Sequence, residues 1–158
     1  MNLKFENYLD KLTPAKRNIA KEAVEVYLKG LGTDIKKILS PEDLFKVVQY
    51  TMAYDEEHFT VVFCKNSGRM IKTFEVAKGG LMSTIVDVRV ILREALLCSA
   101  TIIYLSHNHP SGFLKPSSED ISITNRIKEA ANIMGIKVMD HLIVGNGTYY
   151  SFSDEGQI

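Results

Sequence analysis

The sequence predicts a mixed α/β sandwich built around a central sheet, with a short helical segment ahead of it. Three observations predict it. Apolar residues recur at helical spacing over 14–29, 88–98 and 123–134. Between these stretches they alternate, or run unbroken for a few residues, as strands do. After the helical opening the order is β-β-α-β-α-β-β. The chain has 158 residues, 46% of them hydrophobic, enough for the core of one domain.

The first helix is expected over 14–29. Thr13 can cap it, Pro14 suits its first position, and Ile19, Ala20, Ala23, Val24 and Tyr27 form its apolar stripe. Gly30 and Gly32 are expected to stop it. A second helix is expected from Ser40-Pro41-Glu42-Asp43 to about Met52. The stretches 58–65 and 69–76 read as strands joined at Asn66-Ser67-Gly68. Residues 88–98 return to helix, with Val88, Ile91, Leu92, Ala95 and Leu96 on one face. The apolar run 101–105 suits a strand buried on both faces. Ile123, Ile127, Ala130, Ala131 and Met134 mark a helix ending near Gly135. Residues 136–144 and 148–152 complete the sheet across Asn146-Gly147, a type I′ turn signal.

Composition narrows the function. Net charge is zero, so the basic excess of a nonspecific nucleic-acid binder is missing, although a local basic patch stays open. Cys64 and Cys98 stand far apart and read as reduced and buried. The N-terminus carries no apolar run of signal-peptide type, and nothing approaches the roughly 18 apolar residues of a membrane span. A cytoplasmic protein is therefore expected.

Residues 107–120 read HNHPSGFLKPSSED. On a strand, residues two apart project from the same face, so His107 and His109 point to one spot if the strand continues that far. Pro110, Ser111 and Gly112 turn the chain, and Ser117 opens a helix whose first turn holds Asp120. Two nitrogens and one oxygen suit zinc (Zn2+), and three ligands leave a fourth position for water, as in catalytic sites. The competing reading is plain helix capping, because Ser-x-x-Asp is also a cap. The chain carries its own control: Ser40 to Asp43 has the same spacing and no histidine pair.

The stretch His-x-His-Pro followed by Ser-x-x-Asp resembles the JAMM signature of MPN/JAB metallopeptidases. With MGIKVMDHLIVGNGTYYSF after it, the chain is similar to bacterial RadC-type proteins from about Ser40 to its C-terminus. The resemblance implies a cytidine-deaminase-like, MPN-type α–β sandwich over 40–158, after a helical N-terminal segment over 1–39. It implies zinc held by His107, His109 and Asp120, and Ser117 steadying an oxyanion beside its capping duty. It also implies an upstream glutamate as general base: Glu57 fits best, Glu56 would face the opposite way, and Glu75 is the fallback. The reaction implied is hydrolysis of a peptide or isopeptide bond.

Asp140 and His141 face opposite ways on a strand, so one of them can support a zinc ligand while both cannot enter one pocket. The alternative for them is a hydrogen-bonded pair that fixes the last strands. His58 reads as structural. RadC-type proteins usually carry an N-terminal helix-hairpin-helix region. Here LKGLGTDIKKIL resembles such a hairpin only faintly, and a glycine helix stop explains it better. The second function reading is accordingly a noncatalytic module, DNA-repair-associated or protein-binding, that retains the metal site. DNA association lacks support from net charge, and the edges of a small sheet leave a homodimer open.

Overall fold

A computed structural model describes residues 11–32, 34–79 and 86–158. Helices α1 (Pro14–Gly32) and α2 (Pro41–Val48) and a 3-10 turn (Gln49–Ala53) come first. Strands β1 (His58–Cys64) and β2 (Met70–Lys78), helix α3 (Val88–Leu97) and strand β3 (Ile102–Asn108) follow. Helix α4 (Ser118–Ile133) and strands β4 (Lys137–Gly145) and β5 (Thr148–Ser151) complete the chain. The strands form one mixed sheet in the order β2-β1-β3-β4-β5, and only β3 and β4 run parallel. This is the mixed α/β architecture that the residue pattern predicts.

The alternation of side chains divides the core in two. Phe59, Val61 and Phe63 of β1, with Ile103 and Leu105 of β3, pack against Ile91 and Ala95 of α3 and Ile123, Ile127 and Ala131 of α4. On the other face Val62, Cys64, Ile102 and Tyr104 meet Leu44, Val47 and Val48 of α2. Both faces of the central strands are therefore dry, which is why β1 and β3 are buried along their whole length.

Several local expectations shift. Helix α1 continues through Gly30 to Gly32, at the modest cost that glycine imposes inside a helix. Its stripe is rotated: Ala20, Val24 and Leu28 face the body, whereas Ile19 and Tyr27 are 66% and 67% exposed. Polar pairs set that rotation. Lys21 meets Asp55, and Tyr54 Oη donates to Glu25 at 2.7 Å, so the 21/25 edge turns inward. The second helix gives way to a 3-10 turn at Gln49, before Met52. Leu96 is exposed and Cys98 packs in its place, so Cys98 is only half-buried while Cys64 is buried. Burial pushes the Cys64 thiol up to about 11. Among the described residues, no helix is long and apolar enough to cross a membrane.

Two irregularities position the site. Between β3 and β4 the register steps by one residue: Ile103 opposes Val138 but Tyr104 opposes Asp140, so Met139 forms a bulge. Val138 and His141 thereby share the α3/α4 face, which a regular strand would not allow. At the β4–β5 turn, Asn146 and Gly147 both adopt positive φ, the type I′ geometry expected of that pair.

Candidate metal centre

Strand β3 delivers His107 at its end, 1% exposed, on the α3/α4 face. The ladder continues past Asn108, because His109 N–H donates to the Val144 carbonyl at 3.0 Å. Period two therefore holds, and both imidazoles converge, with Nε2 atoms 2.9 Å apart. The chain then reverses at Gly112, whose N–H bonds the His109 carbonyl at 2.8 Å. Gly112 has φ +74, and a Cβ there would lie 2.3 Å from the Asn146 amide. Asn146 donates to the Gly112 carbonyl at 3.1 Å, so the β4–β5 turn buttresses the loop that carries His109.

Asp120 enters from the first turn of α4 and is fully buried. Its Oδ2 accepts from both the backbone N–H and the hydroxyl of Ser117, each at 2.7 Å, and its own N–H donates to Ser117 Oγ at 3.1 Å. This is a complete capping box. The control at the second helix behaves differently: Asp43 bonds the Leu39 N–H and remains only half-buried. Asp120 Oδ1 has no such commitment. It is 3.1 Å from His107 Nε2, yet accepts no hydrogen bond of acceptable geometry. Burial pushes this carboxyl up. The neighbouring His107 and the Ser117 donors outweigh burial and hold it well below the usual carboxylate range.

Hydrogen-bond polarity decides where the lone pairs point. His109 Nδ1 lies 2.5 Å from the Phe113 carbonyl, which can only accept, so that nitrogen carries the hydrogen and Nε2 of the neutral ring is bare. His107 Nδ1 lies 2.8 Å from Nε2 of His141. His141 Nδ1 lies 2.6 Å from Thr124 Oγ1, and Thr124 Oγ1 lies 2.6 Å from the Asp120 carbonyl. His141 is fully enclosed, and burial, followed by the neighbouring His107, lowers its pKa well below 6.5. Phe59 and Phe152 flank it, with ring centroids at 5.5 and 4.8 Å.

The donor set fits a small divalent cation. Bonds of about 2.0–2.1 Å in tetrahedral geometry place neighbouring donors roughly 3.3 Å apart. The donor atoms of His107, His109 and Asp120 all lie within 4.8 Å of one another. Two imidazole lone pairs and an unpaired carboxylate oxygen packed this closely repel unless a proton or a cation sits among them. The His109 side chain, 12% exposed, is the most accessible of the three. Three protein donors would leave further coordination positions on such a cation.

Glu57 is half-buried and immediately precedes β1. Phe59 opposes His107 at the end of the antiparallel ladder, and Glu57 stands two residues before Phe59, just outside it. Asn108 brackets it, accepting from His58 N–H at 2.7 Å and donating to the Glu56 carbonyl at 2.9 Å. Glu56 is exposed. Glu75 pairs with Thr60 and bonds His58 Nδ1 at 2.8 Å, which places it across the sheet from the histidine pair. Asp140 accepts from His141 N–H, Ser153 N–H and Ser151 Oγ, so it ties down the last turn, while its neighbour His141 backs His107. Thr124 and Asn108 are contributors that the residue pattern did not single out. Thr124 lies four residues after Asp120 on α4, a spacing that signals a shared helix face.

Comparison with known proteins finds relatives across most of the chain. The profile of the RadC-like JAB domain matches residues 38–157. A UPF0758 protein of Flavobacterium johnsoniae is 45% identical over 77% of this chain, and the match covers 54% of that relative. Others from Geotalea uraniireducens and Syntrophomonas wolfei are 35% and 39% identical over 92% and 91% of the chain, covering 65% and 64% of their own lengths. The chain thus spans little more than half to two thirds of these relatives.

Proposed function

This chain belongs to the RadC-like JAB domain family, and from that premise we propose that it is a zinc-dependent hydrolase of peptide or isopeptide bonds. The observation that carries the reading is the convergence of His107 Nε2, His109 Nε2 and the unpaired Asp120 Oδ1. A divalent cation held there would supply Lewis-acid polarisation of a carbonyl and activation of water near neutral pH. Glu57, just ahead of β1, takes a proton from the attacking water. Water oxygen bonds to the carbonyl carbon, the C–N bond breaks, and Glu57 returns the proton to the departing amine. Phe59 and Phe152 keep the imidazoles dry and oriented.

Metal analysis and two variants test the reading. Purified protein supplied with zinc holds about one ion per chain, and His109→Ala abolishes retention. Glu57→Gln keeps the metal and lowers hydrolysis of a responsive peptide or isopeptide by about a hundredfold or more. Absence of zinc in the wild type overturns the centre, and full activity of Glu57→Gln overturns the base.

One observation favours a second reading, a noncatalytic binding module that retains the centre. The Ser117 hydroxyl proton is directed at Asp120, which leaves it no free donor for an oxyanion. Zinc retention with no turnover on any peptide or isopeptide, and with unchanged partner binding in Glu57→Gln, would select that reading. Salt-dependent affinity for DNA would give it a partner.

A further inference from the structure

We propose that His141 and Thr124 are positioning residues that hold His107 in the tautomer whose Nε2 faces the cation and tie it to the backbone of Asp120. The inference rests on the metal-centre reading above. Neither residue belongs to the three-donor cluster.

Bond polarity runs one way through the chain of contacts. The Asp120 carbonyl can only accept, so the Thr124 hydroxyl spends its one proton there, at 2.6 Å. Thr124 Oγ1 must then accept at its 2.6 Å contact with His141 Nδ1, which places a hydrogen on that nitrogen. His141 is fully buried between Phe59 and Phe152, and neither ring nitrogen meets a carboxylate, so the ring stays neutral. Its Nε2 is therefore bare and accepts from His107 Nδ1–H at 2.8 Å. His107, with hydrogen on Nδ1, turns a bare Nε2 toward His109 and Asp120.

The connection is closed. It leaves the metal centre at His107 and returns at Asp120, through Thr124 on the same turn of α4. Thr124 is the direction-setting member, because an i−4 carbonyl is the one partner in the ring that cannot donate. Without its hydroxyl, His141 is free to carry hydrogen on Nε2. That hydrogen opposes His107 Nδ1–H and drives His107 to the Nε2–H form, which cannot bind metal.

The test uses the full chain, with zinc as the probe. Zinc affinity is measured by chelator competition for the wild type, Thr124→Val and Thr124→Ser. Histidine tautomers are read from long-range proton–nitrogen NMR spectra of metal-free and zinc-loaded protein. The expected result is Nδ1-protonated His107 in the wild type and in Thr124→Ser. Thr124→Val should weaken zinc binding about 10- to 100-fold and shift His107 toward Nε2–H. An equal loss in both variants assigns Thr124 to packing and overturns the proposal, as does unchanged affinity in Thr124→Val. A wild type that binds no zinc overturns the metal reading instead. The metal-free wild-type spectrum still decides the ring, whether or not any variant folds: Nε2-protonated His107 there ends it.

Discussion

Asp120 Oδ2 lies 2.7 Å from both the backbone nitrogen and the hydroxyl oxygen of Ser117, so one carboxylate oxygen is committed to the helix start. The other is left for the centre. The two residues divide the labour unequally. Ser117→Ala should cost about 1 kcal/mol of stability, the usual price of a lost cap, while zinc is retained. Asp120→Asn should lose the zinc. Thermal melts and metal content measured on both variants check this; loss of zinc in Ser117→Ala would show that the cap also governs the ligand.

The buried His141 makes the metal-free protein acid-sensitive. Its ordinary pKa is 6.5, and burial lowers it well below that in the folded chain. On acidification the unfolded imidazole gains its proton first, so stability is fully present above about pH 6.5. It falls as pH drops from there toward the folded pKa, by up to about 1.4 kcal/mol per pH unit. Denaturant melts of chelator-treated wild type and His141→Gln at pH 7.5 and 5.5 should show a smaller acid loss in the variant. Equal losses would place the sensitivity elsewhere.

Gly112 is required by conformation, and its missing Cβ leaves room for the Asn146 amide. Its φ of +74 favours glycine, and a Cβ would push aside the Asn146 amide that bonds the Gly112 carbonyl. Gly112→Ala should destabilise the fold by about 1–3 kcal/mol and displace the loop that carries His109. Zinc affinity should therefore fall more than in Gly135→Ala, where φ is also positive but a Cβ meets nothing within 4 Å. Chelator competition on the two variants separates local crowding from backbone strain.

Asn108 stands between the paired histidines but serves the opposite face of the strand. It replaces the ladder where β1 begins, holding the backbone on either side of Glu57. Asn108→Ala leaves the His58 N–H and the Glu56 carbonyl without that partner, a loss of about 1–3 kcal/mol. Amide exchange at His58 should accelerate at least about tenfold, with zinc content unchanged. Unaltered exchange would mean that Glu57 is held by other contacts.

Most of the architecture was legible in the residues because it depends on local periods. Alternation identified β1, unbroken apolarity identified the buried β3, and Asn146-Gly147 marked its turn. The rotation of α1 was not legible, since its inward edge is set by Lys21–Asp55 and Glu25–Tyr54, pairs distant in sequence. The same holds for Leu96 and Cys98 at the end of α3, where neighbouring elements decide which residue is covered.

At the site, the sequence by itself determined that two imidazoles share a face and that a capped helix follows a tight loop, because strand period and capping chemistry act over a few residues. Only the tertiary structure decided which support each ligand receives. The bulge at Met139 turns His141 toward His107, and the packing of α4 on the sheet brings Thr124 to His141. Hydrogen-bond direction across separate elements depends on where each donor and acceptor lands in space, and no spacing along the chain encodes that.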